Sequence, residues 1–202
     1  MIRLATVWLL PLVLLVYARA AAADELIEQI AARLEISERI SGRFEQSRDV
    51  SFLSRPLTAT GSFVIDAGGG LTWQVEQPVQ SLMEVRDGVV SLDGQVVDDP
   101  GTGQFMVMIL TAFMQRDLAP VAEQFVVAGT NHADDWQLEL KPRNVLWRRV
   151  IASVALDGDS YLRNVTINET DGSATRIAFV AVSGGATAGV TGGAQASGGD
   201  DS

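Results

Sequence analysis

The stretch GSFVIDAGGGLTWQVEQPVQSLMEVRDG, from Gly61 to Gly88, decides the fold. Phe63 and Ile65 alternate with Ser62 and Val64. Leu71, Trp73 and Val75 alternate with Thr72, Gln74 and Glu76, and Ser81, Met83 and Val85 follow. Asp66-Ala67-Gly68-Gly69-Gly70, Gln77-Pro78 and Asp87-Gly88 interrupt the runs. Period-two alternation bounded by Gly, Pro and Asp predicts three short antiparallel strands. One face of them is large and apolar. It either packs on an ordinary core or lines a curved pocket for lipid, and the alternation fits both.

Downstream, the pattern continues. Val89–Leu92 and Gln95–Val97 form a hairpin across Asp93-Gly94, a strong turn signal. Phe125–Ala128 reads as a strand. Trp136, Leu138 and Leu140 alternate, then Val150, Ala152, Val154 and Leu156, then Tyr161 to Asn168, and Ala174–Val182 is the last strand. Upstream, Leu26, Ile27, Ile30, Ala31 and Leu34 share one helical face, so a helix is expected over Asp24–Ile40, stopped at Ser41-Gly42. Arg43 to about Val50 then begins the sheet, and Leu57, Ala59, Gly61, Phe63 and Ile65 form one face of its second strand. The count is ten or eleven strands, with no βαβ alternation. The expected fold is therefore mainly β (α+β), an antiparallel sheet with a few helices against it, and a sheet that long must curl.

One segment breaks the β pattern. Gly103–Arg116, GQFMVMILTAFMQR, is apolar around more than one helical face. Such a helix needs burial on two sides, or on one side plus a ligand. Its methionines suit a surface that must fit variable partners. A helix plugging an open sheet satisfies the pattern equally well, and both readings hold if the plug moves. Asp117–Glu123 adds a further helical turn.

The ends of the chain read differently. Met1 to Ala23 has a positive start at Arg3, an apolar run Leu9–Val16 and small-x-small sites at Ala18–Ala20 and Ala21–Ala23, the pattern of a signal peptide cleaved near residues 20–23. Export and a periplasmic location follow as expectations. The domain then spans residues 24–182. Residues 183–202 are Gly, Ala, Ser and Asp with little to bury, so disorder is expected there. The formal charge of −10 makes the chain a poor binder of nucleic acid or of anionic lipid surfaces through net charge. There is no cysteine, so burial and hydrogen bonds must hold the fold.

The search for chemistry finds little. Without Cys there is no thiol nucleophile or thiolate metal site. His132, the one histidine, lies in the polar loop Asn131–Asp135 with no established ligand spacing. There is no G-x-S-x-G elbow, and Gly68-Gly69-Gly70 precedes a strand rather than a phosphate-binding helix. Asp157-Gly158-Asp159 lacks the later residues of a calcium loop. No catalytic residue, metal or cofactor is expected, although a paired-carboxylate hydrolase stays open from sequence.

These features together resemble the LolA family of periplasmic lipoprotein carriers. The resemblance rests on a leader and first helix, then Phe44-Glu45-Gln46, Gly61-Ser62-Phe63, Leu71-x-Trp73, Glu76-Gln77-Pro78 and the Asp87-Gly88 turn, over nearly all of residues 24–182. It is nearest to a divergent branch with Arg55-Pro56-Leu57 and Val150-Ile151-Ala152-Ser153. It implies an unclosed β-barrel with helices over the mouth of an apolar cavity. The implied function is a monomeric, non-enzymatic carrier of lipoprotein acyl chains, moving from an inner-membrane donor complex to an outer-membrane acceptor. One departure matters. Where the family has Arg-Pro, implicated in lid closure and cargo handover, this chain has Asp66–Gly70. That favours the alternative of a LolA-like shuttle for a non-protein lipid or aryl-polyene-type product, working with a membrane exporter.

On this reading Phe63, Leu71, Trp73, Met83, Phe105, Met108, Ile109 and Phe113 line the lipid cavity. Glu at Ile109 and Phe113 is then expected to weaken lipid binding more than stability.

Overall fold

The computed structural model describes residues 23–66, 68–97 and 102–185. The leader and tail expected from the sequence lie outside them, except Ala23 and residues 183–185. Helix α1 covers residues 23–33. Strands β1 (Arg39–Asp49), β2 (Leu57–Asp66), β3 (Leu71–Gln77), β4 (Ser81–Arg86), β5 (Val89–Leu92) and β6 (Gln95–Val96) follow. Helices α2 (Thr102–Met114) and α3 (Ala119–Gln124) come next. β7 (Phe125–Asn131), β8 (Trp136–Pro142), β9 (Ile151–Gly158), β10 (Leu162–Glu169) and β11 (Ala174–Gly185) complete the sheet.

All eleven strands form one antiparallel sheet in the order β6-β5-β4-β3-β2-β1-β11-β10-β9-β8-β7. Two meanders are thus joined by the long β1–β11 pairing, where Phe44 lies opposite Phe179. β6 and β7 are the two edges and do not pair, so the half-barrel stays open. The segment that links these edges in sequence is α2–α3. A chain that must cross from one edge to the other passes over the open side, and this puts the apolar helix α2 against the apolar face of the sheet.

Alternation supplies that face. Gly61, Phe63 and Ile65 are buried on β2, Leu71 and Trp73 on β3, and Trp136, Leu138 and Leu140 on β8. α1 adds Ile27, Ile30 and Leu34, and α2 adds Phe105, Ile109, Leu110 and Phe113, to a single core cluster. Each fully buried aliphatic or aromatic side chain of this kind contributes about 1.5–3 kcal/mol of transfer free energy.

Three boundaries differ from the sequence reading. The first helix ends at residue 33, not at Ile40, and β1 already starts at Arg39. Ile40 is needed in the sheet, where it lies opposite Ile65. Gly42 is no helix stop. It sits inside β1 because a Cβ there would come within 2.9 Å of the Phe63 ring, and the strand is bulged between Ser41 and Arg43. In β9 the phase is shifted: Ile151 is buried while Val150 and Ala152 face outward, across a register irregularity at Asn168/Glu169. The last strand also runs on to Gly185, with Ser183 opposite Ser41, so the tail begins later than residue 183.

Candidate functional site

The site is defined by α2 and what lies on its two sides. One side is packed. The Phe105 ring meets Phe125 at 5.6 Å and Trp147 at 5.8 Å, both edge-on. One helical stretch further on, Phe113 stacks on Trp136 at 5.1 Å, whose indole N–H donates to the Asp159 carbonyl at 2.8 Å. Ile109 and Leu110 are buried between these anchors. The C-terminal end is pinned to α1, where Arg116 Nε donates to the Ala31 carbonyl at 2.6 Å. α1 is held in turn by Arg33, which donates to Asn131 Oδ1 at 2.7 Å and to the carbonyls of Ala133 (3.0 Å) and His132.

The space enclosed under α2 is small. A cavity of about 30 Å³ lies among Leu34, Ile40, Phe63, Ile65, Phe113 and Phe179. Sites for small molecules are roughly ten times larger, so this one holds a water or two and no acyl chain.

The other side of α2 is open. Val107, Met108 and Thr111 project from one helical face, at spacings of three and four residues, towards Val85 and Val90 of the β4–β5 hairpin. The groove between them has a volume of about 650 Å³. Its lining mixes valines and Met108 with Asp87, Thr111, Gln115 and Asp117. The β2–β3 turn closes one end. There Asp66 N–H donates to Gly70 O and Gly69 N–H to Asp66 O, both at 2.9 Å. Gly69 has φ +82°, and a Cβ on it would lie 3.3 Å from the Gln115 amide nitrogen. Glycine therefore answers two demands, a left-handed turn and close approach to the end of α2.

The eight expected lining residues separate accordingly. Phe63 and Phe113 border the small cavity, and Met108 lines the groove. Leu71, Trp73, Phe105 and Ile109 are core, and Met83 is half-buried against it. The groove residues Val85, Val90, Val107 and Thr111 were missed. The strands of β4 and β5 were read with the Asp87-Gly88 turn between them, but the sequence does not say which flank of an all-round apolar helix faces them. Burial also changes the expectation for Glu at Ile109 and Phe113. Both are core, and an uncompensated buried carboxylate destabilises the fold before any binding is tested.

Of the titratable groups, Asp87 and Asp117 line the groove. His132 lies in a turn closed by its own N–H to Asp135 O at 2.8 Å. Among the described residues no three of His, Asp and Glu converge as a metal-holding group.

Fold and site together define an open half-barrel whose apolar face is filled by its own helix, with a groove of mixed lining alongside. No protein-family model and no curated protein sequence matches the chain. Among solved structures it is similar to a LolA superfamily protein, NE2245 from Nitrosomonas europaea, at 6% identity and TM-score 0.43, over 81% of this chain and 93% of that one. It is also similar to an outer membrane lipoprotein-sorting protein domain from Vibrio parahaemolyticus, at 10% identity and TM-score 0.42, over 81% and 92%. A third similar structure is MucB in the Pseudomonas aeruginosa MucA/MucB complex, at 13% identity and TM-score 0.43, where 84% of this chain spans only 59% of MucB. No described helix is long and apolar enough to cross a membrane.

Proposed function

We propose that the protein is a non-catalytic carrier of a lipid-type molecule, and that α2 is the filler that cargo displaces or lies beside. The observation that supports it is the two-sided state of α2, which is packed on one flank and on the other borders a 650 Å³ groove lined by Val85, Val90, Val107 and Met108 together with Asp87, Gln115 and Asp117. Burying one methylene contributes about 0.8 kcal/mol, so a sixteen-carbon chain gains roughly 12 kcal/mol as an upper bound. Ordering and cavity costs are taken from that figure. A rigid closed pocket with such affinity releases slowly. A helix that refills the space when cargo leaves reduces the net gain and makes exchange possible.

Periplasmic transport of lipoprotein acyl chains is the specific role we assign. A shuttle for a non-protein lipid is the second reading, and one observation favours it: the β2–β3 turn is Asp66–Gly70, where the resembled family carries Arg-Pro, and here that turn is a wall of the groove.

The decisive experiment is mass spectrometry of an organic extract of the protein, purified from its native envelope without detergent. Acylated protein supports the first reading, and a free lipid the second. Binding of a fluorescent fatty-acid probe supplies the residue test. Met108→Glu should weaken it at least tenfold while changing unfolding free energy by less than about 1 kcal/mol, because Met108 borders open space. Undiminished probe binding to this folded variant removes the groove from the reading.

A further inference from the structure

The connections of an up-and-down sheet leave it at two ends, and here the ends differ chemically. One end carries the connections 50–56, 78–80, 93–94, 143–150 and 170–173; the other carries 34–38, 68–70, 87–88, 132–135 and 159–161. The first holds six exposed large apolar residues: Phe52, Leu53, Val79, Val145, Leu146 and Val150. The described connections of the second hold one, Ile36. Charge follows the same division. The first end has four arginines (Arg55, Arg143, Arg148, Arg149) against Asp93 and Asp171. The connections of the second have Glu35, Glu38, Asp87, Asp134, Asp135 and Asp159 and no arginine of their own, and Arg33 of α1, which reaches this end, donates to the carbonyls of the 132–135 loop. A formal charge of −10 over the whole chain conceals this separation.

Three of the loops at the first end form one continuous surface. Thr170 N–H donates to Val150 O at 2.9 Å and Thr170 Oγ1 donates to Arg149 O at 2.8 Å. Ser51 N–H donates to Ser173 Oγ at 3.4 Å. Arg55, Arg148 and Arg149 are exposed on it and form no ion pair among the described residues.

We infer that this end docks on the surface of an anionic lipid bilayer. Apolar loop tips flanked by guanidinium groups match the interface, where side chains enter the acyl boundary and cations meet phosphates. Phe52, 83% exposed, protrudes with Leu53 beside it at the tip of its loop. A soft phase accepts such a tip, whereas a protein face would need a matching pit. The aspartates at the far end are repelled by the same surface, so both ends favour one orientation. The inference does not depend on the carrier reading, although Trp147, between Leu146 and Arg148, touches Phe105 of α2 and links the docking loop to that helix.

Vesicle flotation tests it, with protein purified after export. Vesicles are phosphatidylcholine alone or with about 30% phosphatidylglycerol. The anionic vesicles should bind at least tenfold more protein at low salt, and about 0.5 M NaCl should remove most of it. Arg55→Gln with Arg148→Gln and Arg149→Gln should lower partitioning on the order of 100-fold, at about fivefold per arginine. Phe52→Ser with Leu146→Ser should lower it at least tenfold, and Asp134→Asn with Asp135→Asn should not lower it. Any retained leader contributes equally to parent and variant, so their ratio is the readout. All substituted positions are exposed, and unchanged melting checks the fold. Equal partitioning of parent and arginine variant overturns the inference. So does a concentration-dependent dimer abolished by the same apolar substitutions, which would make this end a contact between copies.

Discussion

In the half of the sheet built from β7–β10, α2 is fastened by rings near both its ends, Phe105 on Phe125 and Trp147, and Phe113 on Trp136. In the half built from β1–β5 and β11 the rings pack on one another instead. Trp73 stacks on Phe44 at 3.8 Å, and Phe63 and Phe179 pack edge to face at 5.3 Å, while β4 and β5 face α2 only across the groove. Identical alternation therefore produces two different relations to the same helix. One half is a ring seat; in the other, β4 and β5 form the wall of the groove, while Phe63 and Ile65 of β2 border the same small cavity as Phe113.

The comparison breaks most visibly at two tryptophans. Trp136→Ala and Trp73→Ala each remove a buried indole and should each cost about 3–5 kcal/mol in urea unfolding. Their local effects should differ. Only Trp136→Ala removes a seat of α2, so only it should raise amide exchange over residues 102–114 beyond the global loss of stability. Equal exchange in the two variants would mean that the helix is held by both halves alike.

A smaller effect is expected on the wall. Gly69→Ala places a Cβ on a residue at φ +82°, 3.3 Å from the Gln115 amide. The left-handed backbone alone costs about 1–2 kcal/mol. The damage should stay at the groove mouth, read as a changed fatty-acid-probe off-rate with exchange at Phe113 unchanged. A variant as stable as the parent would show that the turn has room to relax.

Much of this architecture was legible because alternation reports burial directly. Phe63, Leu71, Trp73, Trp136 and Leu138 all face inward as their patterns require. What escaped was set by distant partners. Gly42 reads locally as a helix stop, and only the Phe63 ring across the β1–β2 ladder explains it. Val150 has the composition of a strand interior but is exposed, because the bulged register selects Ile151. For α2, the all-round apolar pattern announced burial on two sides. It could not reveal that one side is aromatic seat and the other groove, since that depends on which sheet edge the α2–α3 crossing leaves and which it joins. The charge separation between the two ends was hidden for a similar reason: Arg55 and Arg148 are far apart in sequence and meet only through the loops of the fold.

The smallest expected effect is on acid stability, and it separates the halves by cause. On the seat side, burial pushes the Asp159 carboxyl upward. The Tyr161 N–H at 2.9 Å and Arg163 Nε at 2.9 Å outweigh it and hold the group below the ordinary aspartate value. On the wall side, a hydrogen bond from Arg43 at 2.8 Å holds exposed Glu76 below the ordinary glutamate value. A lowered folded-state value means that the stabilisation is complete above the unfolded value and is lost as pH falls through the folded one. Both groups therefore contribute to the acid limb of melting temperature against pH, below the ordinary carboxylate range. Salt tells them apart. The Arg43–Glu76 pair is solvent-exposed and screened, whereas a backbone N–H bonded to Asp159 is not. Glu76→Gln should flatten the limb in about 0.1 M NaCl and have no effect in 1 M, and Asp159→Asn should flatten it in both. Because the Asp159 carbonyl also receives the Trp136 indole N–H, acid loosening should start on the side that holds α2. An Asp159→Asn variant with an unchanged acid limb would place the first acid opening elsewhere.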